Sequence, residues 1–231
     1  MFERPHHRRI AAILEALDAE VLAANACLFG GGTAMALRYG EYRESVDIDF
    51  LISEVEGYRQ LRQRLTSPHG VRAITRAGHA LIQTRNVRAD QYGIRTMLQV
   101  DGTDIKFEIV LEGRIDLEAP GPDDRQCGVI TLTPLDMATS KLLANSDRWR
   151  DDAVMSRDLI DLAIMAPPKV LMKQAMAKAQ GAYGDNVAAD LARAVEELRV
   201  RPHRLDQCMQ AMAMTTLSKA ALWARIKALV R

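Results

Sequence analysis

The sequence predicts an α+β protein: a mixed β-sheet flanked by helices up to about residue 133, then a helical C-terminal part. Three observations carry this. Two runs alternate with the period of a strand, Val46-Asp47-Ile48-Asp49-Phe50-Leu51-Ile52 and Asp104-Ile105-Lys106-Phe107-Glu108-Ile109-Val110-Leu111. A glycine cluster, Gly30-Gly31-Gly32, stands between a short apolar run and a helix-like stretch. From Thr133 onward the apolar spacing is helical, and Pro and Gly set the interruptions. The expected domains are 1–133 and 134–231.

Residues 8–24 place Ile10, Ile13, Leu14, Leu17, Val21 and Leu22 at helical spacing, which predicts one amphipathic helix packed on the sheet. Cys27-Leu28-Phe29 then feeds the glycines, and Ala34 to Tyr39 reads as a short helix. In the first alternating run Val46, Ile48, Phe50 and Ile52 share one strand face, and Asp47 and Asp49 share the other, because side chains repeat every two residues. Glu54 to Leu65 predicts a second helix, ended by Pro68-His69-Gly70. The short runs Ala80-Leu81-Ile82 and Ile94 to Leu98 suggest antiparallel strands joined by polar loops. In the second alternating run Ile105, Phe107, Ile109 and Leu111 occupy one face, and Lys106, Glu108 and Val110 the other.

Residues 112–130 are rich in Gly, Pro and Asp and predict a loop at a boundary. Thr133 as N-cap and Pro134 at the first position open a helical region that runs to Ile164, with a break near Asp147–Asp151. Pro167-Pro168 stops it. Helices follow over 169–180, 186–200, about 204–214 and 216–230.

Chemistry concentrates in residues 28–52. Two carboxylates on one strand face repel each other, and a hard divalent cation such as Mg²⁺ between them removes that cost. The glycines let a ligand approach the backbone, and N–H groups at a helix start attract anions. A phosphate cradle and a metal seat therefore fall within one strand–helix–strand unit, which suits metal-assisted attack on a nucleoside triphosphate (NTP). Taken singly, a Gly-rich turn is only a turn, and Asp-x-Asp on a strand is often its solvated face. The combination in this order carries the inference.

Gly31-Gly32-Thr33 followed by Asp47-Ile48-Asp49-Phe50 resembles the nucleotidyltransferase superfamily, whose members share a core with DNA polymerase beta. More narrowly, GGTAMALR with DIDF is similar to the AbiEii/AbiGii toxin-like nucleotidyltransferases. The resemblance implies a nucleotidyltransferase fold in which Gly31, Gly32 and Thr33 hold the triphosphate and Asp47 and Asp49 hold Mg²⁺. Glu108 would be the third carboxylate, sharing the metal from a neighbouring strand; the alternative is a solvated Lys106/Glu108 pair. The spread Lys141, Arg148 and Arg157-Asp158-Leu159-Ile160-Asp161-Leu162 resembles the family's C-terminal signature. It implies catalytic roles for Lys141 and Asp158, with Lys141 also neutralising charge on the nucleotide. Asp161 is the alternative to Asp158, or else caps or pairs with a basic neighbour. The resemblance covers roughly residues 25–165.

The implied reaction moves a nucleoside monophosphate from an NTP to an acceptor hydroxyl. Some members of the family act on tRNA ends as toxins of toxin–antitoxin pairs, so tRNA or another RNA is the first expected acceptor and an antitoxin protein an expected partner. The alternatives are a small-molecule acceptor, as for antibiotic-modifying nucleotidyltransferases, or a nucleotide- or partner-binding module without catalysis.

Composition sets bounds on these functions. Hydrophobic content of 48% with 26% charged residues is ordinary for a soluble globular chain, and no apolar run is long enough to span a bilayer. The start, MFERPHHRRI, lacks the apolar core of a signal peptide, so a cytoplasmic protein is expected. Cys27, Cys127 and Cys208 are far apart and suggest neither a disulfide framework nor a zinc site. The five His residues lack ligand-like spacing and read as surface or structural groups. The net charge of +1 hides an asymmetry: residues from Pro167 on carry 11 Lys/Arg against 5 Asp/Glu. Such a tail either meets a polyanion or is a set of well-solvated helices.

Overall fold

Apolar residues at period two build the sheet. The computed structural model describes residues 2–230 and separates into two compact units. The first comprises the chain up to Leu37 together with Ser45–Thr133; the second comprises Arg38–Glu44 and the chain from Pro134 onward. In the first unit the strands are β1 (Leu28–Gly30), β2 (Ile48–Ile52), β3 (Ile82–Gln83), β4 (Arg88–Ala89), β5 (Gly93–Val100) and β6 (Thr103–Leu111). They run in the order β1-β2-β6-β5-β3, with β4 also on β5. The β2–β6 pair is parallel and the others are antiparallel, so the sheet is mixed.

One face of this sheet is its core. Ile48, Phe50, Ile52, Ile105, Phe107 and Ile109 are all buried, as the alternation predicts. The rings of Phe29, Phe50 and Phe107 form a row across β1, β2 and β6 with centroids 5.5 and 5.6 Å apart, in the range of favourable tilted aromatic contacts. The helices α1 (Pro5–Ala16), α2 (Ala19–Ala24), α3 (Gly31–Arg38) and α4 (Val55–Thr66) complete the unit. Helix α1 packs on β5, and α4 on β2 and β4.

Three expectations need correction. The single helix over 8–24 is split: Leu17 is extended, and the Asp18 carboxylate accepts from the backbone N–H groups of Glu20 and Val21 at 3.1 and 3.0 Å, capping a new helix. Apolar spacing continues through such a cap and cannot reveal it. Val46 does not join the buried face: β2 begins at Ile48, and Val46 is 50% exposed. The loop over 112–130 contains a short hairpin, β7 (Arg125–Gln126) and β8 (Val129–Ile130). Its two-residue turn, Cys127-Gly128, has positive φ at both positions, which matches the right-handed twist of paired strands.

The second unit is helical: α5 (Pro134–Arg148), α6 (Arg157–Met165), α7 (Lys169–Tyr183), α8 (Asn186–Val200), α9 (Arg204–Ala211) and α10 (Lys219–Ala228). The break expected near 147–151 separates α5 from a short 3-10 turn, Asp152–Val154, and then α6. Helix α5 packs against α6, α7 and α8, and α10 against α6 and α9. Leu142, Leu143, Leu159, Leu162, Leu191, Leu222 and Ile226 form the buried interior. No helix among the described residues is long and apolar enough to cross a membrane.

Candidate active site

The polar face of the sheet carries the carboxylates. Asp49 on β2 lies in register with Gly30 on β1 and with Glu108 on β6. Glu108 is in turn in register with Arg95 on β5. One row thus crosses four strands: Gly30, Asp49, Glu108, Arg95. Helix α3 starts at Gly31, directly after β1, with φ +68°. A Cβ at Gly31 would stand 2.5 Å from Asp49 Oδ2, so only glycine leaves space for this carboxylate beside the turn. Gly32 follows within the first turn of α3, where the helix leaves N–H groups without intrahelical partners.

Asp47 precedes β2, and three side chains fix the backbone leading into it. Thr33 Oγ1 donates to the Asp47 carbonyl oxygen at 2.5 Å and lies 2.8 Å from Ser45 Oγ. The Ser45 N–H donates to His7 Nε2 at 3.1 Å, and His6 Nε2 is 3.0 Å from the Val46 carbonyl oxygen. Thr33 and His7 are buried. The structure therefore places the Thr33 hydroxyl inside, tying α3 to the entry of β2. The sequence suggested no specific task for His6 and His7, and nothing in their spacing points to a backbone 40 residues away.

Glu108 lies beside Asp49, on the neighbouring strand where a third carboxylate was expected. Its oxygens are engaged by two cations: Arg95 Nε donates to Oε1 and Lys106 Nζ to Oε2. Burial tends to lower the Lys106 pKa, but the bond to Glu108 and the charges of Glu108, Asp49 and Asp47 raise it, so the ammonium stays charged. No three His, Cys, Asp or Glu side chains among the described residues are gathered to hold a metal ion. Asp47 and Asp49 still fit a hard divalent ion in donor type, and the space at Gly31 keeps the Asp49 carboxylate at the turn.

In the second unit Lys141, Arg148, Asp158 and Asp161 come together, joined by Tyr42 and Arg43. Arg43 binds Asp161 through Nε and Nη2 at 2.7 and 2.9 Å, and Tyr42 Oη donates to Asp161 Oδ1 at 2.5 Å. Lys141 Nζ reaches Asp161 Oδ2 at 2.6 Å and Asp158 Oδ1 at 3.0 Å. Arg148 grips Asp158 through Nε and Nη2 at 2.7 and 3.0 Å. Burial alone would raise both carboxyl pKa values. Lys141 and Arg148 outweigh it at Asp158, and Arg43 and Lys141 at Asp161, holding both below the usual carboxylate range. Lys141 is only 6% exposed. Asp161 thus pairs with basic neighbours, one of the two readings its sequence position allowed. Arg43 is buried and its guanidinium is spent on Asp161.

A glycine turn closing on an aspartate strand, inside a mixed sheet with helices around it, is the arrangement expected of a nucleotidyltransferase. The family model described as nucleotidyl transferase AbiEii toxin, type IV toxin–antitoxin system, matches residues 12–229, and the chain belongs to this family. The chain also resembles two solved Helicobacter pylori structures. One is a proposed nucleotidyltransferase, at 19% identity and a TM-score of 0.50, covering 97% of this chain and 93% of that one. The other is JHP933, at 17% identity and a TM-score of 0.52, covering 100% and 94%. At these identities the likeness speaks for the fold. No functionally curated protein matches the sequence.

Proposed function

We propose that the chain transfers a nucleoside monophosphate from an NTP to a hydroxyl of tRNA or another RNA, with Mg²⁺ as the metal. The observation that supports this most is the packing of the Asp49 carboxylate against the Gly31 turn, where a Cβ would lie 2.5 Å from Oδ2. It supports a reading in which the Gly31 turn would cradle phosphate beside a carboxylate able to bind metal. Asp47 and Asp49 would hold the divalent ion, which when bound supplies charge neutralisation for the phosphates and for the attacking oxygen.

The protein's own part is positioning. N–H groups at the start of α3, at Gly31 and Gly32, bind the β- and γ-phosphates. Thr33 fixes the Asp47 backbone rather than contacting phosphate. The acceptor oxygen bonds to the α-phosphorus, the bond from that phosphorus to its bridging oxygen breaks, pyrophosphate leaves with the electron pair, and the hydroxyl proton goes to solvent. Lys141 and Asp158, which the family signature assigns to the reaction, are buried partners of each other, so their mutants need a stability control. An antitoxin protein is the expected regulator, following the family's type IV toxin–antitoxin description.

The test is incubation of the protein with each labelled NTP, Mg²⁺ and total cellular RNA. Label on RNA supports the proposal. Label on a small molecule or on protein replaces the acceptor, and no label with any NTP overturns it.

A further inference from the structure

Glu108 has spent its carboxylate on two cations, and those cations have donors to spare. Arg95 uses Nε on Glu108 and Nη1 on Asp90 at 3.2 Å, out of five N–H groups. Lys106 uses one N–H of three on Glu108. Both side chains are 41% exposed, whereas that of Glu108 is 11% exposed. A nearly buried carboxylate thus holds two half-exposed cations in fixed places, on the face that carries Asp49.

The place of Arg95 in the row gives the pair a direction, with Lys106 two residues before Glu108 on β6. The glycine turn follows β1, on one side of Asp49; Glu108 and Arg95 lie on the other side, on β6 and β5. With strands about 4.8 Å apart, Arg95 is roughly 10 Å beyond Asp49, away from the turn. In-line displacement requires the attacking oxygen to approach opposite the departing pyrophosphate. If the turn holds the triphosphate, the acceptor enters over β6 and β5. A hydroxyl at the end of a polynucleotide brings a phosphodiester within one nucleotide of the reaction, and an uncharged small acceptor brings none.

We propose that Arg95 and Lys106 receive the backbone phosphate of the acceptor strand, and that Glu108 is a positioning residue for this pair rather than a metal ligand. This rests on the transfer reading above and assigns its acceptor side.

The test uses the full chain and a short single-stranded RNA with a free 3′ hydroxyl. RNA affinity is measured by fluorescence anisotropy at two salt concentrations, and NTP and divalent-ion affinities by calorimetry. Replacing both cations (Arg95→Gln with Lys106→Gln) should weaken RNA binding at least tenfold. It should also flatten the log–log salt dependence by about 0.7 per cation removed, while NTP affinity stays within twofold. Glu108→Gln should weaken RNA binding and leave divalent-ion affinity unchanged, whereas Asp49→Asn lowers it. Loss of NTP affinity with RNA binding intact would reassign the cations to the triphosphate and overturn the proposal. A fall in divalent-ion affinity in Glu108→Gln would restore Glu108 as a ligand and overturn its positioning role. Wild-type protein that binds NTP but no RNA would sink the RNA reading itself. RNA binding unchanged in the double variant would sink only this assignment.

Discussion

Asp161 shows what a single residue can decide. It lies fully inside the second unit, accepts from Tyr42 and Arg43, and pairs with Lys141. Removing one partner of a buried ion network leaves the others charged and unpaired, at a cost of about 3–5 kcal/mol. Asp161→Ala should therefore lower stability by that order in denaturant titrations. Lys141→Ala should behave similarly, whereas exposed Lys169→Ala should change stability by no more than about 0.5 kcal/mol. Loss of transfer in Lys141→Ala counts as catalytic only when measured well below its own melting temperature. Acid should have a defined sign. Asp158 and Asp161 are held below their ordinary values when folded, so as pH falls the unfolded chain takes up protons first. Their stabilisation is present above the ordinary Asp range, near 3.9, and is lost progressively as pH drops through it towards the folded values. Asp161→Asn should reduce that slope in acid titrations followed by circular dichroism; an unchanged slope would show that other carboxylates set it.

The elements were legible to the extent that one strand or helix announces itself. Alternation found β2 and β6 and assigned Asp49 and Glu108 to the polar face, because burial on one side writes a period of two into the sequence. It put Lys106 beside Glu108, but it could not reveal that β6 pairs with β2 on one side and β5 on the other, and hence that Glu108 lies level with both Asp49 and Arg95. Register between distant strands is set by packing, with no local signal. Likewise Arg43 and Asp161, 118 residues apart, gave no sign of meeting. The glycine turn was legible in composition, but only the fold separates its glycines. Gly31 has the positive φ and the close carboxylate. Gly31→Ala should thus displace Asp49, destabilise by about 1 kcal/mol or more, and reduce transfer at least a hundredfold. Gly40→Ala is the control for strain alone, since it also has positive φ but meets nothing within 4 Å. Equal losses of transfer in the two variants would mean that the space at Asp49 does not matter.

For the whole molecule, the basic tail looked in the sequence like a surplus open to a polyanion. The fold pairs many of these cations, some of them with carboxylates outside the tail, Asp136 and Asp152. Arg193 pairs with Asp190, Arg199 with Glu196, Arg201 with Asp152 and Glu197, Lys178 with Asp136, and Lys219 with Asp206. Arg204 is buried and donates to the Asp152 carbonyl oxygen. Arg204→Glu should therefore unfold the second unit at a markedly lower temperature, while Arg199→Glu, in an exposed pair, should shift stability by no more than about 1 kcal/mol. Net charge counted along a sequence cannot say which cations are paired: Arg193 and Arg199 find partners on their own helix, whereas Lys178 and Arg201 reach Asp136 and Asp152 earlier in the chain.

Asp47 and Asp49, set against the glycine turn, are the proposed seat of nucleotide transfer. The most direct measurement is label incorporation into RNA from radiolabelled NTP and Mg²⁺ by wild type, Asp47→Asn and Asp49→Asn, with thermal melts of the same preparations. Wild type should incorporate label, and each variant should lose at least a thousandfold without a fall in melting temperature, since each change removes one of two neighbouring carboxylates. Both variants folding and transferring label as the wild type does would contradict that assignment.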